Sequence, residues 1–176
     1  MHPIIYDVAV SIDGYIDSAG SDVSAFPSDG PVVEEYFSRL ETYSCAIMGR
    51  TTYEFGYRYG MRPGDNPYPH METLVFSSTL ELPPESNVRI VRNSARECVE
   101  RLRDDQPGPI YLCGGGHFAG ALMDLGLIDI IRLKRAPIIL NPGTPVLVSS
   151  KVSAAWACQE TRLYDGGYVY QEFSIR

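Results

Sequence analysis

The sequence predicts an α/β protein with a mostly parallel sheet, helices on both faces and an antiparallel hairpin at the C-terminal end. Two observations carry this. Short apolar runs rich in β-branched residues alternate with segments whose apolar residues fall at helical spacing, the pattern of parallel strands covered on both sides. Late in the chain the pattern changes to two alternating stretches around Asp165-Gly166-Gly167, a hairpin signature.

Ile4 to Ile12 (IIYDVAVSI) reads as the first strand, delivering Asp13 and Gly14 to its carboxyl end. Residues 17–30, rich in Gly, Ser, Asp and Pro, form a loop long enough to act as a lid. A helix follows, with Ser28 or Asp29 as its cap, Pro31 in its first turn, and Val32, Val33, Tyr36, Phe37 and Leu40 on one apolar face. Cys45 to Met48 is a short buried strand that turns through GRTTYEFG into a second helix. Thr73 to Phe76 is another strand, ending at Ser77 and Ser78. After a strand at Val88 to Val91, Asn93 or Ser94 caps a helix with Ala95, Cys98, Val99 and Leu102 inward. PIYLC then runs into three glycines, and Phe118, Ala121, Leu122 and Leu125 line one side of the next helix. Asn141 to Leu147 (NPGTPVL) is a turn-rich link to the hairpin. No repeat, low-complexity tract or interdomain linker breaks the pattern, so a single domain over residues 1–176 is expected.

The net charge of −7 and a pI near 4.9 argue against nucleic-acid binding, which draws its affinity from Lys and Arg facing phosphates. The apolar N-terminus carries Asp7 and Asp13 and lacks a basic flank, which fits neither a signal peptide nor a membrane span. Cys45, Cys98, Cys113 and Cys158 are scattered with no C-x-x-C pair, and His2, His70 and His117 are dispersed. Reduced core thiols in a cytoplasmic protein without a structural metal are the expectation.

Three strand ends line up at the edge where ligands of parallel sheets bind: Met48-Gly49-Arg50-Thr51, Phe76-Ser77-Ser78 and Cys113-Gly114-Gly115-Gly116. Helix starts near Thr51 and His117 offer unpaired N–H groups to phosphates, and Arg50 adds a planar cationic fork. The glycine triplet reads either as a plain strand-to-helix turn or as a phosphate seat. It is not a P-loop, nor a G-x-G-x-x-G opening the first βα unit.

AIMGRTTYE (46–54), LVFSS (74–78) and IYLCGGGHF (110–118) resemble, in order and spacing, the dihydrofolate reductase-like fold. VAVSIDGYI (8–16) and LMDLGLIDIIRLKRAPIIL (122–140) are similar to its riboflavin-biosynthesis branch, the pyrimidine reductase domain at the C-terminus of RibD. The resemblance covers nearly the whole chain. It implies a three-layer fold, NADPH, a small-molecule substrate and a homodimer. By motif, Arg50, Ser77 and Ser78 would hold the adenosine end and its 2′-phosphate. Gly49, Thr51, Thr52, Gly115, Gly116, His117 and Phe118 would bracket the pyrophosphate, and Ala9 and Ile16 would touch the nicotinamide. The resemblance also implies a cis bond joining Gly114 to Gly115, with the backbone bare for the cofactor.

Asp13 is the candidate proton donor or substrate anchor, or it only shapes the turn at Asp13-Gly14. Val33, Tyr36 and Phe37 are candidate substrate contacts. Val33 stands where dihydrofolate reductases carry a carboxylate, with Glu34 and Glu35 beside it. Cys113 stands where riboflavin-pathway relatives often carry an acid. The readings are a reductase of a ribosylaminopyrimidine type, a non-catalytic NADPH- or ligand-binding module on the same fold, and a dihydrofolate or pterin reductase.

Overall fold

The computed structural model describes residues 1–175. In chain order its elements are β1 (Ile4–Val10), α1 (Pro31–Leu40), β2 (Cys45–Gly49), α2 (Arg50–Phe55), β3 (Glu72–Phe76), β4 (Arg89–Val91), α3 (Ala95–Asp105), β5 (Ile110–Gly114), α4 (Gly116–Asp124), β6 (Ile130–Arg135), β7 (Trp156–Leu163) and β8 (Val169–Ile175). The strands form one sheet in the order β4-β3-β2-β5-β1-β6-β8-β7. All pairings from β4 across to β6 are parallel, and β8 and β7 add the antiparallel edge. Neighbouring side chains on a strand point to opposite faces, so each strand feeds two cores. Ile4, Tyr6, Ile47, Leu74 and Leu112 pack with Val99 and Leu102 of α3 and Ala119 and Leu122 of α4. Ile5, Ala46, Met48, Val75 and Tyr111 pack on the other face with Leu40 of α1, Tyr43 and Tyr53. The result is a three-layer α/β fold with a mostly parallel sheet between helices.

Several local expectations need correction. β1 ends at Val10, because Ser11 turns back on itself: its N–H donates to the Tyr15 carbonyl and its Oγ accepts from the Tyr15 N–H. α1 and α3 have Gly30 and Ser94 at their N-caps without a side-chain capping bond, so neither Ser28, Asp29 nor Asn93 caps them. Phe37 is 56% exposed rather than part of an inward face, which leaves Val32 and Leu40 as the buried residues of α1. In α4 the buried stripe is Ala119, Leu122 and Met123, and Ala121 faces outward. Cys158 is exposed on edge strand β7 and is not a core thiol. β6 was hidden by its own composition, since IIRLKR carries three cations in six residues.

The Gly114–Gly115 peptide is trans; the cis bond among the described residues is Asn141–Pro142. Positive φ at both glycines (131° and 86°) makes the sharp exit from β5 without it, a conformation in which a Cβ is costly. Gly116 answers a different need. A Cβ there would collide with the Pro145 carbonyl oxygen and lie 2.9 Å from Val148 Cγ2.

One irregularity of the sheet lies at its centre. The β1–β5 ladder stops at Tyr6–Leu112, yet β1 continues to Val10 beside β6 and β5 continues to Gly114 beside β2. The two central strands therefore part at their carboxyl ends, next to the glycines.

Candidate functional site

At the carboxyl ends of β3 and β4, against α3 and α4, lies a cleft of about 310 Å³. Its floor is a stacked pair, Phe76 and Phe118, with ring centroids 4.8 Å apart. Ser77, Ser78, Arg92, Asn93 and Ser94 supply its polar wall, and Ala121, Leu122 and Leu125 its apolar one. The apolar face expected for α4 thus lines a cleft in part, rather than the core alone. Flat apolar floor plus hydroxyls and a cation at one end suits an aromatic base carrying phosphate.

The expected phosphate contacts are spread around this cleft. Gly115 caps α4 and Gly116 starts it, and the first N–H groups of a helix have no intrahelical acceptor. Gly49 caps α2 with extended backbone and sits against Phe118, where an added Cβ would lie 3.3 Å from Phe118 Cβ. Thr52 Oγ1 stands 2.6 Å from the position of a Gly115 Cβ, so Thr52 and the glycine turn face each other. Thr51 and His117 are exposed at the two helix starts.

Arg50 does not reach the cleft lining. Its Nε donates to Glu54 (2.9 Å) and its Nη1 to Thr79 Oγ1 (2.9 Å). Ser77 Oγ accepts from the N–H groups of Thr79 and Leu80, closing the turn after β3 while its own O–H stays available. The cation in the cleft is Arg92, which donates to the Ser78 carbonyl (3.2 Å) and to Glu81 (3.1 Å). Sequence reasoning missed it; its place one residue after β4, at a fourth strand end, was the available signal.

A strap formed by residues 144–148 joins the glycines to the loop after β1. Val148 N–H donates to the Gly116 carbonyl, Val146 N–H to Gly14, and Ile16 N–H to Thr144. Asp17, unremarked in the sequence, accepts from the Thr144 N–H (2.7 Å) and hydroxyl (3.0 Å). Ile16 is thereby fixed half-buried, as is Ala9 on β1. Asp13 is exposed. Its carboxylate accepts from the Ser11 hydroxyl (2.5 Å) and from the N–H groups of Leu140 (3.2 Å) and Asn141 (3.1 Å). These bonds, the Ser11 hydroxyl foremost, hold its carboxyl below the usual carboxylate range. A group kept ionised in this way ties loops together and has no proton to donate, so the turn-shaping alternative is the one the geometry fits.

The α1 face of the opening holds a polar cluster of unusual density. Asp7, buried on β1, accepts from Lys134 Nζ (2.6 Å), Arg39 Nε (2.9 Å) and the Tyr43 hydroxyl (3.1 Å). Arg132 donates to Tyr43 Oη (3.0 Å) and to Glu172 (2.7 Å). Lys134 Nζ also lies 3.7 Å from the Tyr36 ring centroid, a cation–π contact. The Tyr36 and Tyr111 hydroxyls bond each other at 2.7 Å, and Tyr68 Oη meets Cys113 Sγ at 3.0 Å. Burial pushes the Tyr36, Tyr68, Tyr111 and Cys113 pKa values up, so these remain neutral.

Of the expected substrate contacts, Tyr36 enters this cluster, Val33 is half-buried near it on α1, and Phe37 faces solvent. Glu34 is exposed. Glu35 is engaged by Arg162 of β7 and by the Tyr164 hydroxyl (2.7 Å), which pins the hairpin to α1. No group of three or more His, Cys, Asp or Glu residues with metal-binding geometry occurs among the described residues. No helix among them is long and apolar enough to cross a membrane.

Comparison with known proteins agrees with this architecture. The chain is 24% identical over 176 residues to the uncharacterized protein YyaP of Bacillus subtilis (strain 168), covering 94% of this chain and 91% of that one. It superimposes with a TM-score of 0.82 on a Shewanella sp. PV-4 protein provisionally named for riboflavin biosynthesis, at 20% identity over 100% of this chain and 99% of that one. Enterococcus faecalis dihydrofolate reductase, solved with NADP(H), gives a TM-score of 0.70 at 16% identity over 99% and 96% of the two chains. These structural likenesses establish the fold. The sequence profile described as the RibD C-terminal domain matches residues 3–170, and the chain therefore belongs to that family.

Proposed function

We propose that this protein is an NADPH-dependent reductase of a small heterocycle, with 5-amino-6-(5-phosphoribosylamino)uracil as the substrate type. The observation that carries the reading is the presence of two different surroundings at the carboxyl ends of the parallel strands: an aromatic-floored cleft with Ser77, Ser78 and Arg92 at β3 and β4, and a buried cluster of ionisable groups where β1 parts from β5. The resemblance to reductases of this fold and the NADP(H) in one structural neighbour support it.

When bound, the cofactor supplies hydride. The chain's own residues do the rest. Phe76 and Phe118 would seat the adenine, and Arg92, with Ser77 and Ser78, would receive the 2′-phosphate. The α4 N–H groups would neutralise the pyrophosphate, and Ala9, Ile16 and the bare Gly114–Gly115 backbone would admit a flat ring to the opening. Water exclusion falls to the strap over residues 14–17 and to the Tyr36–Tyr111–Tyr68 wall.

The test is ligand-induced thermal stabilisation with NADPH and NADH, followed by the uracil substrate in the presence of NADPH. NADPH should bind at least about tenfold more tightly than NADH, since charge-assisted hydrogen bonds contribute roughly 1.5–3 kcal/mol. Arg92→Ala should narrow the gap more than Arg50→Ala, because Arg92 lines the cleft whereas Arg50 is turned away onto Glu54 and Thr79. Equal affinities in the parent protein would refute the phosphate assignment.

Dihydrofolate is expected to be a poor substrate and methotrexate a poor ligand. Val33 offers no carboxylate, and Glu35 is held by Arg162 and Tyr164. Brisk NADPH oxidation with dihydrofolate would show that α1 presents a different face to substrate.

A further inference from the structure

Of fifteen basic side chains in this protein, thirteen are arginine and only Lys134 and Lys151 are lysine. The difference is chemical. A guanidinium is in practice never deprotonated, whereas a buried ammonium can give up its proton near neutrality. Lys151 is exposed in the link before the hairpin. Lys134 is the lysine at the opening. It pairs in register with Ala9 on one side and Tyr170 on the other, so its side chain rises from the same face and level as Ala9. Its side chain is 12% exposed.

The groups facing it complete the case. Asp7 reaches it from β1, Tyr36 and Arg39 from α1, Cys113 from β5, and Tyr170 from β8. Asp7 also accepts from Arg39 and the Tyr43 hydroxyl, so its charge stays matched when Lys134 is neutral. Arg39 and Arg132 cannot release a proton, and the tyrosines and Cys113 are held neutral by burial. Asp13 is exposed and ionised. Burial lowers the Lys134 pKa, with Asp7 opposing it.

We propose that Lys134 is the proton donor of the reduction, delivering its Nζ proton to the substrate atom adjacent to the one that accepts hydride; this rests on the reductase reading above. In the step a substrate carbon–nitrogen double bond becomes a single bond. The carbon gains the hydride of a reduced nicotinamide dinucleotide, and the nitrogen gains the proton as an Nζ–H bond of Lys134 breaks. Neutral Lys134 beside Asp7 then recovers a proton from water.

Selective ¹³C,¹⁵N-lysine labelling gives two side-chain signals, one of them an internal control. Burial should make Lys134 titrate below the ordinary lysine value, and saturating NADP⁺ should move its signal but not that of Lys151. A Lys134 titration at or above the ordinary lysine value, or a Lys134 signal indifferent to bound NADP⁺, overturns the proposal. Failure of NADP⁺ to stabilise the protein at all would instead overturn the reductase reading. With NADPH and 5-amino-6-(5-phosphoribosylamino)uracil, kcat should fall as pH rises through the Lys134 titration. Lys134→Arg, which keeps the charge against Asp7, should leave the NADPH Kd within about twofold and lower kcat by about 10²-fold or more. An unchanged kcat in that variant would also overturn the assignment.

Discussion

Replacing Asp7 by alanine is expected to lower the free energy of unfolding by about 3–5 kcal/mol, read as a drop in the urea midpoint. Its carboxylate is buried and meets two cations and a hydroxyl. Removing it strands Arg39 and Lys134 in a low-dielectric layer with Tyr36 and Tyr170 rings against them. The loss comes from uncompensated desolvation more than from the missing attraction, so Asp7→Ala with Lys134→Met should recover part of it in a double-mutant cycle. A pH signature accompanies the effect. Burial alone would raise the Asp7 pKa, but Lys134 and Arg39 outweigh it and hold it below the usual carboxylate value. A depressed folded-state pKa contributes stability that is present above the unfolded value, about 3.9. That stability is lost as pH falls through the lower folded value. The parent should therefore lose stability steeply below about pH 4, and Asp7→Asn should lack that component. A change smaller than about 1 kcal/mol in Asp7→Ala would mean that water reaches the cluster.

Adding one methyl at Gly116 or Gly120 is expected to be the next most damaging change, at about 1–3 kcal/mol each from overpacking. A Cβ at Gly116 meets the Pro145 carbonyl, with Val148 Cγ2 at 2.9 Å and Thr144 Cγ2 at 3.1 Å; one at Gly120 meets the Val148 carbonyl. In both cases the obstacle is largely backbone, which cannot swing aside like a side chain. The strap must lift, and with it the bonds from Val148 to Gly116, Val146 to Gly14 and Ile16 to Thr144. Gly116→Ala should thus lower the melting temperature, admit protease at residues 144–148 and weaken NADPH binding together. Gly115→Ala differs: its penalty is a Cβ at φ 86° facing the Thr52 hydroxyl, so affinity should fall more than stability. Unaltered protease resistance in Gly116→Ala would show the strap to be independent of α4.

The parallel core was legible because its strands are short apolar runs ending in Gly, Ser or Arg, and β2, β3, β4 and β5 lie within a residue of their expected positions. Of the strand ends singled out, Phe76-Ser77-Ser78 lines the cleft, joined by Phe118 of α4. What the sequence concealed was long-range pairing. Ile130 to Arg135 carries three cations because Asp7 and Glu172 meet two of them from neighbouring strands, and no local pattern announces partners 127 and 40 residues away. Arg50 looked like the free cation because Glu54 and Thr79 close on it only in three dimensions. Gly116 read as a ligand seat, while its lack of a side chain also serves the packing of a distant link.

The parting of β1 and β5 gives this sheet something that interior strands normally lack, an edge. Exposed edges recruit foreign strands, and proteins guard the outer ones with charge, bulges or covering segments. Here the edge is internal and short: beyond Tyr6 and Leu112 it comprises Asp7–Val10 on one bank and Cys113–Gly114 on the other. That is less than the five or six residues of a typical strand, too few to template an intruding chain. Brevity is the safeguard: four residues on one bank and two on the other leave no length for an added strand to pair along.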